Sequence, residues 1–400
     1  MKYKYLVIGS FSLFPFAPKS QNFAQKDTVK VKTTEIQLVY SHYLQDGNNS
    51  AVTGGIGTEE LSVYGPALNI IRSTPAASLA FNMGTDIITS ASTDNIDTIM
   101  SSASRVDYRV FSNLNYTRNI GSNYSVNGGL GFSFESDYFS IGSKLGFSTK
   151  NIDDSRSLSV QFEMYNDDLR WGRKLGNIFG PLNLIYPSEL RTKEWYSVHN
   201  RNSYNLKIGV KQVLNERNVL GIFSEIIFQS GLLATPYHRI YFSDNTEAVE
   251  FLPNERLKLG LGLKLNSFVF GNVILKNLVS GYRDSFGVIA LAIENQTSIK
   301  IKPTLILQPH LRFYTQKGSS YFKPYMQHDS NERFYTSDYD LSTLNTISGG
   351  LGIKYNPILL KNKKFFFDAF SIKYTFLRRS NNLTAHIVST IIYIKSIKAK

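Results

Sequence analysis

Apolar and polar residues alternate with a period of two along most of the chain. In the clearest run, Leu257, Leu259, Leu261 and Leu263 are separated by lysine and glycine. This period places the apolar side chains on one face of a β-strand. The alternating segments are about 10–13 residues long, the length that a tilted strand needs to cross a hydrocarbon core. Strands of a soluble sandwich are shorter, so the pattern predicts membrane-crossing strands.

Sixteen such segments can be placed, and the connections between them follow a rule. The segments are 33–43, 61–73, 77–90, 107–119, 122–135, 139–149, 156–167, 202–213, 219–231, 255–267, 272–282, 286–296, 303–315, 344–355, 364–377 and 383–396. Every long connection follows an odd-numbered segment: 44–60, 90–106, 168–201, 232–254 and 316–343. Outer-membrane barrels have short periplasmic turns and long external loops. The sequence therefore predicts an all-β fold, a transmembrane antiparallel β-barrel of about 16 strands with long external loops.

The first 25 residues have the order of an export signal. Lys2 and Lys4 precede an apolar run, and small and polar residues follow before Lys26. The run is too short to anchor the chain in a bilayer. We expect residues 1–25 to be a signal peptide and residues 26–400 to form the barrel, located in the cell outer membrane.

Composition narrows the chemistry. The chain has no cysteine, which excludes disulfides, zinc–thiolate sites and cysteine nucleophiles. Its net charge is +13, but no basic recognition helix is evident, so we expect a membrane setting and no nucleic acid. The many tyrosines at strand ends predict interfacial girdles. Examples are Tyr40, Tyr43, Tyr108, Tyr116, Tyr282, Tyr314, Tyr374 and Tyr393.

The polar face of the strands is a second source of candidates. If the leucines face lipid, the charged residues between them face the lumen. The candidate lumen-facing charges are Arg109, Glu163, Lys207, Lys211, Glu225, Lys258, Lys264, Glu294 and Arg312, together with Glu35, Asp86, Lys144, Lys354 and Lys373. Nine are basic and five are acidic. An open lumen with this surplus would favour anions, although mutual pairing of the charges is the simpler alternative.

The connection 168–201 is the candidate plug or partner loop. It contains Trp171, Phe179, Tyr186 and Trp195, and its centre is apolar. A solvated loop does not need an apolar centre, so we expect it to be buried in the barrel mouth or against a partner.

The six histidines give only weak candidates for catalysis. None forms a metal-binding HExxH or HxxxH pair. His238 has Asp244 and Glu247 nearby in the sequence, and His328 has Asp329 and Glu332. Such pairs could serve a hydrolase at the external rim, but no spacing rule selects them. We expect no catalytic residues, no metal and no cofactor.

Several stretches resemble one known family. They are 52–61, 89–97, 101–105, 231–239, 309–316 and 335–342, which occur in this order over most of the chain. They are similar to the domain of unknown function thirty-five seventy, a family of outer-membrane β-barrels. The resemblance implies this fold without an assigned activity. Its members are often encoded beside a flavin-attaching transferase and a thioredoxin-like protein, which hints at a redox system of the envelope.

Taken together, these features favour a non-enzymatic outer-membrane β-barrel that acts as a channel or as an assembly partner in a cell-envelope system. The expected partners are outer-membrane lipid and an envelope protein. The sequence does not identify the solute, which could be a small molecule or an anion. The alternatives are a rim hydrolase and a soluble exported β-rich binding protein.

Overall fold

The computed structural model describes residues 31–90, 106–135, 139–169, 200–235, 238–358 and 365–399. The predicted signal peptide and the loop with Trp171, Phe179, Tyr186 and Trp195 lie outside these ranges. None of the helices in the described ranges is long and apolar enough to cross a membrane.

The described chain is built almost entirely from β-strands. The strands are β1 (Val31–Asp46), β2 (Leu61–Ser73), β3 (Ala77–Ser90), β4 (Val106–Ile120), β5 (Tyr124–Phe134), β6 (Phe139–Lys150), β7 (Arg156–Asp168), β8 (Asn200–Asn215), β9 (Asn218–Gly231), β10 (Arg239–Tyr241), β11 (Glu247–Val249), β12 (Glu255–Val269), β13 (Val273–Asp284), β14 (Ile289–Lys302), β15 (Leu305–Lys317), β16 (Leu344–Tyr355), β17 (Phe366–Arg379) and β18 (Thr384–Ala399). Two short 3-10 helices, Ala51–Thr53 and Tyr339–Leu341, lie in connections.

Sixteen strands form one closed antiparallel barrel, and β10 and β11 form a separate hairpin. Neighbours in sequence are neighbours in the barrel, with β9 next to β12 and β18 closing onto β1. The prediction of a 16-strand barrel is confirmed, and each predicted segment corresponds to one barrel strand. The hairpin within 232–254 was not predicted.

Connection lengths separate the two ends of the barrel. The connections 74–76, 121–123, 151–155, 216–217, 270–272, 303–304 and 356–365 lie at the end where β1 begins and β18 ends. The strand ends that flank the long connections lie at the opposite end, with those of three short connections, 135–138, 285–288 and 380–383. This is the arrangement of outer-membrane barrels, in which the long loops are external.

The outer face of the wall is apolar. Leu130 is 66% exposed and Leu145 is 67% exposed, and they occupy the same face because Leu130 pairs with Ser143 and Leu145 with Gly128. In β12 the leucines are exposed, whereas Gly260 and Gly262 on the other face are buried. Exposed apolar side chains around a closed barrel are what a lipid environment requires. The outer face therefore contacts the hydrocarbon core.

Tyrosines occupy both faces of the wall, which corrects the sequence expectation. Tyr40, Tyr108, Tyr116 and Tyr374 are exposed on the outer face, as an interfacial girdle requires. The prediction is wrong for Tyr43, Tyr282, Tyr314 and Tyr393. Their hydroxyls or rings instead contact inner-face groups: Gln45, Asp284, Gln316 and Lys354. The period-two pattern places these tyrosines in strands, but their position at strand ends does not show which face of the wall they occupy.

Candidate functional site: the inner wall and the external cap

The inner wall carries the charged residues selected from the sequence. In each strand they alternate with the exposed apolar residues of the outer face. The structure places Arg109, Glu163, Lys207, Lys211, Glu225, Lys258, Lys264, Glu294 and Arg312 on this face, with Glu35, Asp86, Lys144, Lys354 and Lys373.

Part of this set forms ion pairs across neighbouring strands. Lys207 of β8 lies between Glu163 of β7, at 2.9 Å, and Glu225 of β9, at 3.5 Å. The Tyr165 hydroxyl also donates to Glu163, at 3.1 Å. Because β7, β8 and β9 are adjacent and the three residues face inward, the register brings them together near mid-strand. This cluster pairs one lysine with two carboxyl groups, so it leaves no cation unpaired.

Further ion pairs lie nearer the external end. Arg109 lies 3.6 Å from both Asp86 and Glu135. The other pairs are Arg201 with Asp167 at 2.7 Å, Arg256 with Asp284, and Arg379 with Asp340 at 2.6 Å. The candidates predicted from the sequence do not include Arg201, Asp284 or Arg379, because each lies beyond the predicted end of its segment.

Nine inner-wall cations have no ion pair among the described residues. They are Lys144, Lys211, Lys258, Lys264, Lys276, Lys300, Arg312, Lys354 and Lys373. Seven of them lie on the neighbouring strands β12 to β17. This stretch of wall, from β12 to β17, is called the basic wall below. Lys276 and Lys300 are absent from the sequence candidates, because the outward Asn277 breaks the alternation of β13 and Lys300 lies beyond the predicted segment 286–296.

Three lysines of the basic wall influence one another. Lys276 is repelled electrostatically by both Lys264 and Lys354. Lys264 pairs with Leu278 across the β12–β13 ladder, so Lys276 is its diagonal neighbour. The Lys354 ammonium group lies 4.7 Å from the centre of the Tyr393 ring. Like charges brought together in a low-dielectric wall raise the local attraction for an anion.

The wall formed by β2 to β6 has a different surface. The side chain of Asn82 hydrogen-bonds to Asn69, and Asn113 donates to Asn82 at 3.4 Å. Gly129 and Gly131 face Asn115 and Asn113, and a Cβ on either glycine would collide with the amide oxygen opposite. Apart from the paired Asp86 and Arg109 and from Lys144, neutral amides and glycine backbone thus line the side away from the basic wall.

Three long connections fold together into an external cap, defined here as residues 47–60, 232–235, 238–254 and 318–343. Phe242 forms a β-bridge with His328, and Phe251 forms one with Tyr335. The rings of Tyr241 and Tyr325 lie 5.1 Å apart. The cap therefore has a folded structure of its own.

A hydrophobic core cluster lies where this cap meets the rim of the barrel. Phe286, from the short β13–β14 connection, is 1% exposed and packs with Leu232, Ala234 and Leu252. The Arg256 guanidinium lies 4.4 Å from the centre of its ring. The cap is also tied to the wall because Gln316 donates to the carbonyls of Asp340 and Ser342. These contacts fix the cap to the rim from β12 to β17.

A polar network runs through the cap. His238 lies 3.4 Å from Glu250, which also accepts a hydrogen bond from the Thr336 hydroxyl. His328 is fully buried, and its ring nitrogens lie 2.7 Å from Glu332 and 2.9 Å from the Thr336 carbonyl. Both ring nitrogens of His328 are thus occupied by contacts inside the cap. This histidine has no free nitrogen with which to act as a base.

The pKa values of two cap carboxyl groups are shifted in opposite directions. Burial opposes ionisation of Glu332, but hydrogen bonds from Lys323 and His328 outweigh it and lower the pKa to about 2. Burial raises the pKa of Asp338 to about 6, and the nearby Asp340 adds to the rise. The Asp338 carboxylate lies 3.9 Å from His238, which opposes this shift.

The predicted histidine–carboxylate pairs are only partly brought together. His328 contacts Glu332, as one sequence alternative proposed. His238 contacts Glu250 and Asp338, whereas the Asp244 side chain accepts from the Thr246 backbone at 3.0 Å. No group of three or more histidine or acidic side chains within the described ranges is arranged to hold a metal ion.

Comparison with known proteins places the chain in a family. Residues 3–365 match the family model described as Protein of unknown function (DUF3570), which confirms the resemblance seen in the sequence. No curated protein matches the sequence. The family match and a closed barrel with an apolar outer face identify an outer-membrane β-barrel protein.

Solved structures with a similar shape are distant in sequence. One is a bacterial polysaccharide outer membrane secretin, with 8% identity and a TM-score of 0.47 over 92% of this chain and 99% of that chain. Pseudomonas aeruginosa OpdK, crystallised with vanillate, has 7% identity and a TM-score of 0.42 over 92% and 99%. A BenF-like porin from Pseudomonas fluorescens Pf-5 has 8% identity and a TM-score of 0.39 over 92% and 99%. Likenesses at this level assign no solute to the chain.

Proposed function

The chain belongs to the family Protein of unknown function (DUF3570), and for this member we propose the role of an outer-membrane channel that favours small anions. The observation that carries the proposal is the basic wall, where lysines face inward without ion-pair partners among the described residues. Cations kept only for stability would be expected to pair with carboxylates, as Lys207 does with Glu163. Unpaired inward cations instead need water or a passing anion.

The two sides of the wall suggest how a solute is handled. The lysines attract an anionic group such as a carboxylate or phosphate through charge. The amides and glycines from β2 to β6 offer neutral hydrogen-bonding groups. A small anion with further polar groups fits both surfaces.

A hydrolase at the rim receives no support from the cap. His328 is fully buried and both of its ring nitrogens face acceptors. His238 is 2% exposed. A general base must reach the proton that it removes, and neither histidine is placed to do so. We therefore propose a non-enzymatic role.

Ion selectivity in planar bilayers tests the proposal. The reversal potential of the purified protein under a KCl gradient should show a preference for chloride. Replacing Lys264, Lys276 and Lys354 together by glutamate should shift the preference toward potassium. The matched control replaces the same three lysines by arginine, which keeps the charge and should keep the selectivity.

Two results would count against the channel. A cation preference in the unaltered protein would remove the anion assignment. Absence of current, both in the full chain and after deletion of residues 176–188 from the candidate plug loop, would remove the channel altogether. In that case the role of assembly partner would be favoured.

A further inference from the structure

Near the middle of the outer face, β13 and β14 place two amide side chains next to each other. Pairing across the ladders defines a row of outward residues from β9 to β17: Leu220, Leu265, Asn277, Asn295, Leu311, Gly349 and Phe376. Leu311 is 57% exposed, which fixes this row on the lipid side. Two asparagines therefore stand side by side with apolar residues on either side of them, and the next outward residues along the ladders are Gln212 of β8 and His386 of β18.

These asparagines are joined to a third polar group. The Asn295 amide nitrogen donates to the Asn277 amide oxygen at 2.7 Å. The Thr297 hydroxyl donates to the Asn295 amide oxygen at 2.9 Å. Asn277, Asn295 and Thr297 are called the amide patch below. The Asn277 amide nitrogen donates to no other residue in the described ranges, so the patch keeps a free donor.

The patch lies deep in the wall, so leaving this donor without a partner would cost free energy in a barrel surrounded only by lipid. Asn295 is the seventh residue of the fourteen in β14 and Asn277 the fifth of the twelve in β13. Both positions lie near the middle of the wall, where hydrocarbon offers no hydrogen-bond partner. Scattered outward hydroxyls such as Ser143 are single groups, whereas the patch brings two amides together.

The ladder beside the patch is also interrupted. Pairing between β14 and β15 is present at Gln296 with His310 and resumes at Ile299 with Leu307. Pro309 lies in the gap and has no backbone N–H to give to β14. Proline is normally confined to strand edges, and a closed barrel has no edge. The ladder beside the amide patch is therefore locally weakened, as it is at the outward Pro66 of β2.

Lipid chains cannot satisfy an amide, and a charged partner finds no opposite charge in the patch. An asparagine side chain, however, carries both a donor and an acceptor. The same patch on another molecule can therefore supply the missing acceptor, while the surrounding leucines pack together. We propose that the outer face of β13 to β15 around the amide patch is a contact between copies of this chain in the membrane.

Photo-crosslinking in intact outer membranes tests this contact. A benzophenone amino acid replaces Asn277, and the control places it at Leu145, which is 67% exposed on β6. The expected result is an adduct of twice the chain mass from position 277 and none from position 145. An adduct of any other protein mass, or labelling of lipid alone, would overturn the proposal.

A second measurement separates a lost contact from a misfolded barrel. Asn277→Leu combined with Asn295→Leu should yield monomers by native mass spectrometry from mild detergent, where the unaltered chain gives oligomers. The control Ser143→Leu removes an outward hydroxyl elsewhere and should leave the oligomers intact. Heat-modifiable migration on gels shows that each variant is a folded barrel. Oligomers that persist in the folded double variant would refute the role of the patch.

Discussion

Truncation of Phe286 should open the external cap while the barrel stays closed. The side chain is 1% exposed, and its ring centre lies 5.3 Å from that of Tyr321 and 4.4 Å from the Arg256 guanidinium. Replacing a buried phenylalanine by alanine costs about 3–5 kcal/mol, because transfer and cavity terms add. Taking the lower figure of about 3 kcal/mol, and tenfold for each 1.4 kcal/mol, local opening should become about 100-fold more frequent.

The assay is hydrogen exchange of backbone amides, measured by mass spectrometry in detergent micelles. In Phe286→Ala, amides of 238–254 and 318–343 should exchange about 100-fold faster, because local opening exposes cap amides without breaking the barrel ladders. Amides of β1 to β9 should be unchanged. The control Leu145→Ala removes a side chain from the outer face and should leave cap exchange as it is.

Two outcomes would refute this reasoning. Unchanged exchange in the cap would mean that Phe286 does not hold it together. Faster exchange over the whole chain would mean that cap and barrel open as one unit. The second result would also show that the cap contributes to closure of the barrel.

Three further predictions concern the cap, the orientation and the candidate plug loop. Burial raises the Asp338 pKa from 3.8 to about 6, so the stability that this group gives the cap is present below pH 3.8 and is lost as pH rises through 6. Asp338→Asn should therefore stabilise the cap at pH 7. It should also remove the dependence of cap-amide protection on pH between pH 4 and 6. The chain has no cysteine, so a single cysteine at Asn331 should react with an impermeant maleimide on intact cells, whereas one at Asn215 should not; the reverse labelling would invert the topology. Deletion of residues 176–188 should raise single-channel conductance if this loop is a plug, and unchanged conductance with loss of a co-purifying protein would indicate a partner site instead.

The barrel was predictable because a lipid-facing strand imposes a simple rule on its sequence. The alternating leucines of β12 marked its length and its outward face together. The rule fails where the outward residue is not apolar. In β13, Asn277 occupies an outward position, so the parity was lost and the inward Lys276 was overlooked. The same break marks the amide patch.

The cap was beyond reach of such a rule. Its contacts join residues far apart in the chain, such as Glu250 with Thr336 and Asp340 with Arg379. No local period encodes these pairs, because loops satisfy their polar groups through tertiary contacts. His328 and Glu332 were found as a pair only because they are four residues apart. Sequence proximity also suggested Asp244 and Glu247 as partners of His238, which is wrong. One of its actual carboxylate partners, Asp338, is 100 residues away in the chain.

Closure of the barrel through β1 and β18 has a consequence for assembly. The two strands pair from Val31 with Ala399 to Asp46 with Thr384, and these residues lie at opposite ends of the barrel sequence. A chain still lacking its last strand would have two free edges, each with unpaired backbone groups that invite pairing with another chain. The seam requires the most distant contacts and should therefore form last and slowly. Until it forms, a nascent wall needs a temporary strand-like partner at its edges, which makes the β1–β18 seam the point where insertion machinery and chain would meet.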